Sequence, residues 1–288
     1  MPSLKHLKAI VFDWAGTMID HGSRAPAIVF QEIFRQRGIE ITIDQAREPM
    51  GMAKREHILA ITQMPDIQKK WVDKFGKSAA DSDIDEMYKQ FLPLQKETLK
   101  DHSQMIQGAT KAAELCRNLG LKIGSSTGYT RELMADVSTI AKEQGYEPDL
   151  ILCAEDAPRG RPAPYLLYEA SKRLDVYPMS TIVKVDDTIL GIKAGVNAGC
   201  WNVGITRTGN LLGLSSEEVE GLTESQRDHM ISSVGELMLN AGAHFIVESV
   251  EDIEMALTYF DELLDQGASP NDFTFCSYLI NWSNTMSG

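Results

Sequence analysis

Ala9-Ile10-Val11-Phe12-Asp13-Trp14-Ala15-Gly16-Thr17 decides how this chain is read. Four apolar residues ending in Asp, with Gly-Thr close behind, describe a buried strand that delivers a carboxylate to a tight turn at its C-terminal end. In open α/β sheets the chemistry sits in the crevice beyond such strand ends. Asp13 is therefore the first candidate for a reacting group, and other strand ends are the places to expect its partners.

Beyond this strand the pattern changes. Pro26 to Gln36 reads as a helix, with Pro26 in its first turn and Gly38 as its stop. Helical character continues through Thr42 to Glu48, Gly51 to Thr62, Asp66 to Phe75 and Ile84 to Leu99. From Gly108 onward strand and helix alternate. The expected strands are Leu121 to Ser125, Leu150 to Cys153, Thr181 to Val185 and Trp201 to Ile205. The expected helices are Ala109 to Leu119, Arg131 to Gln144, Pro164 to Leu174 and Ile189 to Ala198. Such alternation predicts an α/β fold with a parallel sheet covered on both faces. A polar helical stretch from Glu217 to Asn240, an edge strand over Ala243 to Glu248 and a last helix over Val250 to Leu264 complete it. The expected division is a Rossmann-like core over 1–20 and 100–266, an inserted all-helical cap over 21–99, and a tail over 267–288 with no clear period.

Composition narrows the function classes. The chain has 288 residues, 43% hydrophobic and 24% charged, with a formal net charge of −13. That charge argues against nucleic acid and anionic membranes as partners. No stretch of about 18 apolar residues is present to span a bilayer. Cys116, Cys153, Cys200 and Cys276 have no zinc-ligand spacing. With no signal-peptide pattern at the start, the expectation is a reduced, cytoplasmic protein. An anionic substrate would meet a repulsive global field, so local cations or a metal must reverse the sign at the site.

Three later stretches carry polar groups to strand or helix ends. Ser126-Thr127-Gly128 follows the second expected strand; a hydroxyl and backbone N–H groups at a helix N-terminus can hold phosphate oxygens. Gly160-Arg161-Pro162 precedes a helix and offers a fixed cation. Lys184-Val185-Asp186-Asp187-Thr188 ends another buried strand with two carboxylates, and magnesium takes one or two carboxylates together with waters and substrate phosphate. In the helical insertion, Pro49-Met50-Gly51-Met52-Ala53-Lys54-Arg55-Glu56-His57 would place Gly51, Lys54 and His57 on roughly one helix face.

Asp13-x-x-Gly16-Thr17 resembles the nucleophile motif of the haloacid dehalogenase superfamily. Most phosphatases of that superfamily have a second Asp two residues after the nucleophile, which protonates the leaving oxygen; here the position is Ala15. A methyl group moves no proton. If the bond to break is C–P, however, the leaving atom is carbon, and its electron pair needs a sink. An aldehyde condensed with a lysine amine supplies one, provided burial lowers the lysine pKa. Taken together, Asp13-Trp14-Ala15-Gly16-Thr17, Pro49-Met50-Gly51 with Lys54 and His57, Gly128-Tyr129-Thr130-Arg131 and Gly160-Arg161-Pro162 resemble the phosphonoacetaldehyde hydrolase (phosphonatase) family, over about Ile10 to Glu248.

The resemblance implies Mg²⁺, a homodimer, and hydrolysis of phosphonoacetaldehyde to acetaldehyde and phosphate. It makes Asp13 the nucleophile and Lys54 the Schiff-base lysine. Asp13, Asp187 and the Ala15 carbonyl become the metal ligands. Arg161 and Thr127 bind the phosphonyl group, with Gly128 beside them, while Met50, His57 and Tyr129 belong to the cap-side and proton-transfer surroundings. Two departures stand out. Many superfamily members carry a second acid four positions after the Asp187 equivalent, where this chain has Gly191. Some family members have a Cys near the pocket where this chain has Ser23. The competing readings are a generic phosphatase or phosphomutase of the same fold, which Ala15 opposes, and a non-catalytic phospho-ligand binder, which need not keep both Asp13 and Lys54.

Overall fold

The computed structural model describes residues 4–272. Strands β1 (Ala9–Phe12), β2 (Lys122–Ser126), β3 (Leu150–Leu152), β4 (Ile182–Asp186), β5 (Trp201–Ile205) and β6 (Phe245–Val247) form one sheet in the order β3-β2-β1-β4-β5-β6. Every pairing is parallel, so the expected α/β class is met. The chain winds outward from β1 in both directions, which makes the gap beside β1 the switch point where ligands bind in such sheets. Register fixes what meets there: Phe12 pairs with Ser125 and with Val185. Asp13, Ser126 and Asp186 each follow by one residue and stand side by side at the C-terminal edge.

Helices α1 (Arg24–Gln36), α2 (Ile43–Arg47), α3 (Lys54–Gln63), α4 (Pro65–Phe75) and α5 (Asp81–Asp101) lie between β1 and β2. Local signals account for their ends. Thr42 and Gln45 form a reciprocal capping box on α2, and α4 starts on Pro65 and stops at Gly76 with φ 73°. These helices bury an apolar cluster of their own, including Phe30, Phe34, Ile58, Trp71, Met87 and Phe91. The two segments joining them to the sheet run together: Ile19 bridges to Met105, and the Asp20 and Ile106 amides donate to the Gln104 and Met18 carbonyls.

The remaining helices cover the sheet: α6 (Ala109–Asn118), α7 (Arg131–Glu143), α8 (Tyr165–Leu174), α9 (Ile189–Ala198), α10 (Ser216–Glu220), α11 (Glu224–Ala241) and α12 (Ile253–Asp265). One sheet face packs Phe12, Trp201 and Phe260 into an apolar core, the other Val11, Leu166 and Ala194. Three expectations are corrected. The polar stretch from Glu217 to Asn240 is two helices, because Thr223 and Gln226 start a new one with their own capping box after Gly221. Gly51 is not helical: its φ of +97° belongs to the turn before α3, so it does not share a helix face with Lys54 and His57. Thr127 does not sit at a helix N-terminus either, since Thr130 caps α7. Most of the expected tail, with Cys276, lies outside the described residues. Among the described residues, no helix is long and apolar enough to cross a membrane.

Candidate active site

A cleft at the C-terminal edge of the sheet is lined by Asp13, Ala15, Thr127, Gly128, Tyr129 and Arg161 from the sheet side. Met50, Gly51, Met52 and Lys54 line it from the turn before α3. The two sides approach closely because glycines leave room on both: a Cβ on Gly128 would lie 2.8 Å from the Met52 carbonyl oxygen, and one on Gly51 2.7 Å from the side-chain Oγ1 of Thr188. Lys54 opens α3 and is 4% exposed. Its Nζ lies 4.9 Å from the Tyr129 ring centroid and 5.6 Å from that of Phe30. Burial against these rings disfavours the ammonium and pulls its pKa down to about 7, although Asp13 opposes the shift.

Asp13 is buried, and its backbone N–H donates to Val185, so strand pairing aims the residue. Arg161 Nη2 donates to Asp13 Oδ1 at 2.6 Å and also to the Ser126 carbonyl, while Nη1 pairs with Asp186 at 3.1 Å. Lys184 Nζ reaches the same Asp186 carboxylate at 2.8 Å. Burial raises the Asp13 pKa against the pull of Arg161. Burial acts on Asp186 too, but Arg161 and Lys184 outweigh it and hold that carboxyl low. For Asp187, burial and then the charges of Asp13 and Asp186 push the pKa well above the usual range.

One ligand atom each from Asp13, Asp186 and Asp187 falls within 4.8 Å of the others. Asp187 Oδ2 accepts from the Asn210 amide at 2.7 Å, and its Oδ1 is buried with no hydrogen-bond partner among the described residues. A buried carboxyl oxygen left in that state, and a carboxyl whose charged form is disfavoured without a counter-ion, fit a hard cation.

His57 does not line the cleft. Its ring stacks on Phe30 at 3.7 Å, and Nε2 lies 2.9 Å from the Ala46 carbonyl. That contact makes Nε2 the protonated nitrogen. Burial, then Lys54, lower its pKa well below the usual value, so it is a neutral group behind the lysine. Tyr129 is buried at the cleft with its phenol pKa raised by burial first. Thr127 Oγ1 accepts from the Tyr129 amide at 3.1 Å, leaving its hydroxyl proton to donate.

Sequence reasoning did not bring out Pro26, Met52 or Thr188 as cleft residues, nor Asn210 behind Asp187. Asn210 follows β5, and the strand-end rule could have found it. Arg47 gave no such signal. Its guanidinium, at the end of α2, crosses to the carbonyls of Gly22 (2.7 Å), Asn210 (3.1 Å) and Gly213 (2.9 Å).

The sequence profile of the haloacid dehalogenase-like hydrolases matches residues 7–199. The phosphonoacetaldehyde hydrolase of Paraburkholderia phytofirmans is 40% identical over 267 residues, covering 93% of this chain and 100% of that one. That of Bacillus cereus strain G9842 is 41% identical over 256 residues, covering 89% and 97%. Among solved structures, a phosphonoacetaldehyde hydrolase-like protein from Oleispira antarctica superposes with a TM-score of 0.91 at 37% identity, over 94% of this chain and 98% of that one.

Proposed function

The chain belongs to the phosphonoacetaldehyde hydrolase family of haloacid dehalogenase-like hydrolases, and from that premise we propose that it cleaves the C–P bond of phosphonoacetaldehyde to give acetaldehyde and phosphate. The observation that carries the reading is a buried lysine, Lys54, with a pKa near 7 in the same cleft as Asp13, where Ala15 offers no acid. The neutral Lys54 amine condenses with the substrate aldehyde and takes up a proton from solvent, releasing water and leaving a protonated imine. Asp13 attacks phosphorus, the C–P electron pair moves into the imine to form an enamine, and the phosphoryl group stays on Asp13. Protonation and hydrolysis of the enamine free acetaldehyde and Lys54; water then hydrolyses the aspartyl phosphate.

Thr127 donates to a phosphonyl oxygen, and Arg161 both orients Asp13 and offers its charge to the same group. Tyr129 and Met50 wall the aldehyde end, and the neutral His57 leaves Lys54 no added positive neighbour on that side. Asp13, Asp187 and the Ala15 carbonyl would hold Mg²⁺, the buried, unpartnered Asp187 Oδ1 supporting that donor set. Bound there, Mg²⁺ would supply the positive charge that lets an anionic phosphonate approach an anionic nucleophile.

The division into a core over 1–20 and 100–266 and a cap over 21–99 belongs to the same proposal, supported by the separate apolar cluster of α1 to α5. So do the homodimer that the family resemblance implies and the cytoplasmic setting expected from the sequence; light scattering on the purified protein tests the first. The mechanism is tested by borohydride, which reduces an imine to a stable amine. Substrate plus borohydride should inactivate the protein permanently, with the added carbons mapped to Lys54. A label on another lysine, or none, overturns the reading.

A further inference from the structure

Gly191 occupies the first turn of α9 in helical backbone, where glycine weakens a helix and no left-handed conformation calls for it. What it supplies is room. A Cβ at 191 would lie 1.9 Å from Asp186 Cγ and 2.1 Å from each carboxylate oxygen. The Asp186 carboxylate therefore fills the space that a side chain at 191 would need.

Asp186 is also held by hydrogen bonds at one oxygen and ion pairs at the other. Oδ1 accepts from the Thr188 amide at 3.0 Å and from Thr188 Oγ1 at 2.7 Å. Thr188 Oγ1 in turn accepts from the Gly191 amide at 3.0 Å, which ties the carboxylate to the helix start. Oδ2, like Asp187 Oδ1, is buried without a hydrogen bond among the described residues, but it forms ion pairs with Lys184 Nζ at 2.8 Å and Arg161 Nη1 at 3.1 Å. Among the described residues Asp187 Oδ1 has neither a hydrogen bond nor an ion pair. Of two adjacent acids, one is already neutralised by buried cations of the chain and the other is not.

We propose that the acid many superfamily members carry at the 191 position is exchanged in this chain for Asp186, a positioning residue that neutralises Lys184 and fixes Arg161, with Gly191 as the room the exchange requires. The inference rests on the Mg²⁺ reading above. Without the Asp186 charge, the Lys184 ammonium is buried unpaired beside the cation site and repels a divalent ion. Arg161 then loses one of its two carboxylate anchors and is left to Asp13, one of the groups that would hold the cation. An acid at 191 with Asp186 still present puts two carboxylates into one volume.

The test is a reciprocal exchange: Asp186→Asn, Asp186→Gly, Gly191→Asp, and the double variant Asp186→Gly/Gly191→Asp. Mg²⁺ affinity is measured by calorimetry on metal-stripped protein, beside thermal melts and kcat and KM. Asp186→Asn keeps the shape and loses the charge, so it separates electrostatics from misfolding. Each single variant should bind Mg²⁺ about tenfold or more weakly. The double variant should return to within about threefold of the native affinity, the coupling expected of residues sharing one volume. Native affinity in folded Asp186→Asn, or a double variant no better than the worse single one, overturns the exchange. If the native protein binds no Mg²⁺, the metal reading fails first and takes the exchange with it.

Discussion

An amine condenses with an aldehyde only after losing its proton, and Lys54 owes that state to its surroundings rather than to its own chemistry. Phe30 and Tyr129 enclose it, and burial brings its pKa down to about 7. Two predictions follow from the sign of that shift. The folded pKa lies below the unfolded one, so turnover should decline tenfold per pH unit below about 7 and level off above it, in kcat/KM measured from pH 5.5 to 8.5. From about pH 7 up to the ordinary lysine range near 10.4, the unfolded chain holds a proton that the folded chain has released; stability from this group therefore rises with pH across the window and is lowest below it. Lys54→Met should abolish turnover and borohydride trapping, yet melt a few degrees higher at pH 6.5, about 1 kcal/mol or more, since it removes a buried amine. Lys54→Arg should also be inactive, because a guanidinium stays protonated and cannot condense.

Between elements, the cleft depends on how closely the turn before α3 packs on the loops after β2 and β4. Gly128 permits that approach. Gly128→Val would drive a side chain into the Met52 carbonyl, which stands 2.8 Å from the Cβ position. The expected result is a loss of at least about 10²-fold in kcat/KM with little change in the melting of the sheet, because displacing a reacting group by about 1 Å costs that much. Circular dichroism melts alongside kinetics separate the two effects. Arg47 acts from the other side. It ties α2 to the loop that carries Asn210, whose amide holds Asp187. Arg47→Ala should cost roughly 1–3 kcal/mol of stability in denaturant melts, since it leaves several carbonyls short of a donor.

At the scale of the molecule, a net charge of −13 and three buried carboxylates at the sheet edge make an anionic substrate unwelcome without a cation. Excess chelator should abolish phosphate release while leaving the far-ultraviolet spectrum unchanged, and Mg²⁺ should restore it. Turnover of glycerol phosphate should stay about 10²–10⁴-fold below that of phosphonoacetaldehyde, the usual worth of the general acid that Ala15 cannot supply.

The β1 motif, the strand and helix alternation and the run over Lys184 to Thr188 were legible in the chain because strands and caps are set by neighbours in sequence. They determined the α/β class and placed Asp13, Thr127, Arg161 and Asp187 near strand ends. Local pattern could not say that Gly51 leaves the helix, because its φ of +97° answers to the turn packed against Thr188 and Leu190. Nor could it show that Arg161 is held between Asp13 and Asp186, that His57 stands behind Lys54 with its ring on Phe30, or that Gly191 makes room for Asp186. Those arrangements depend on which distant groups share a buried space, and on charge and volume that must balance there, so only the tertiary structure decided them.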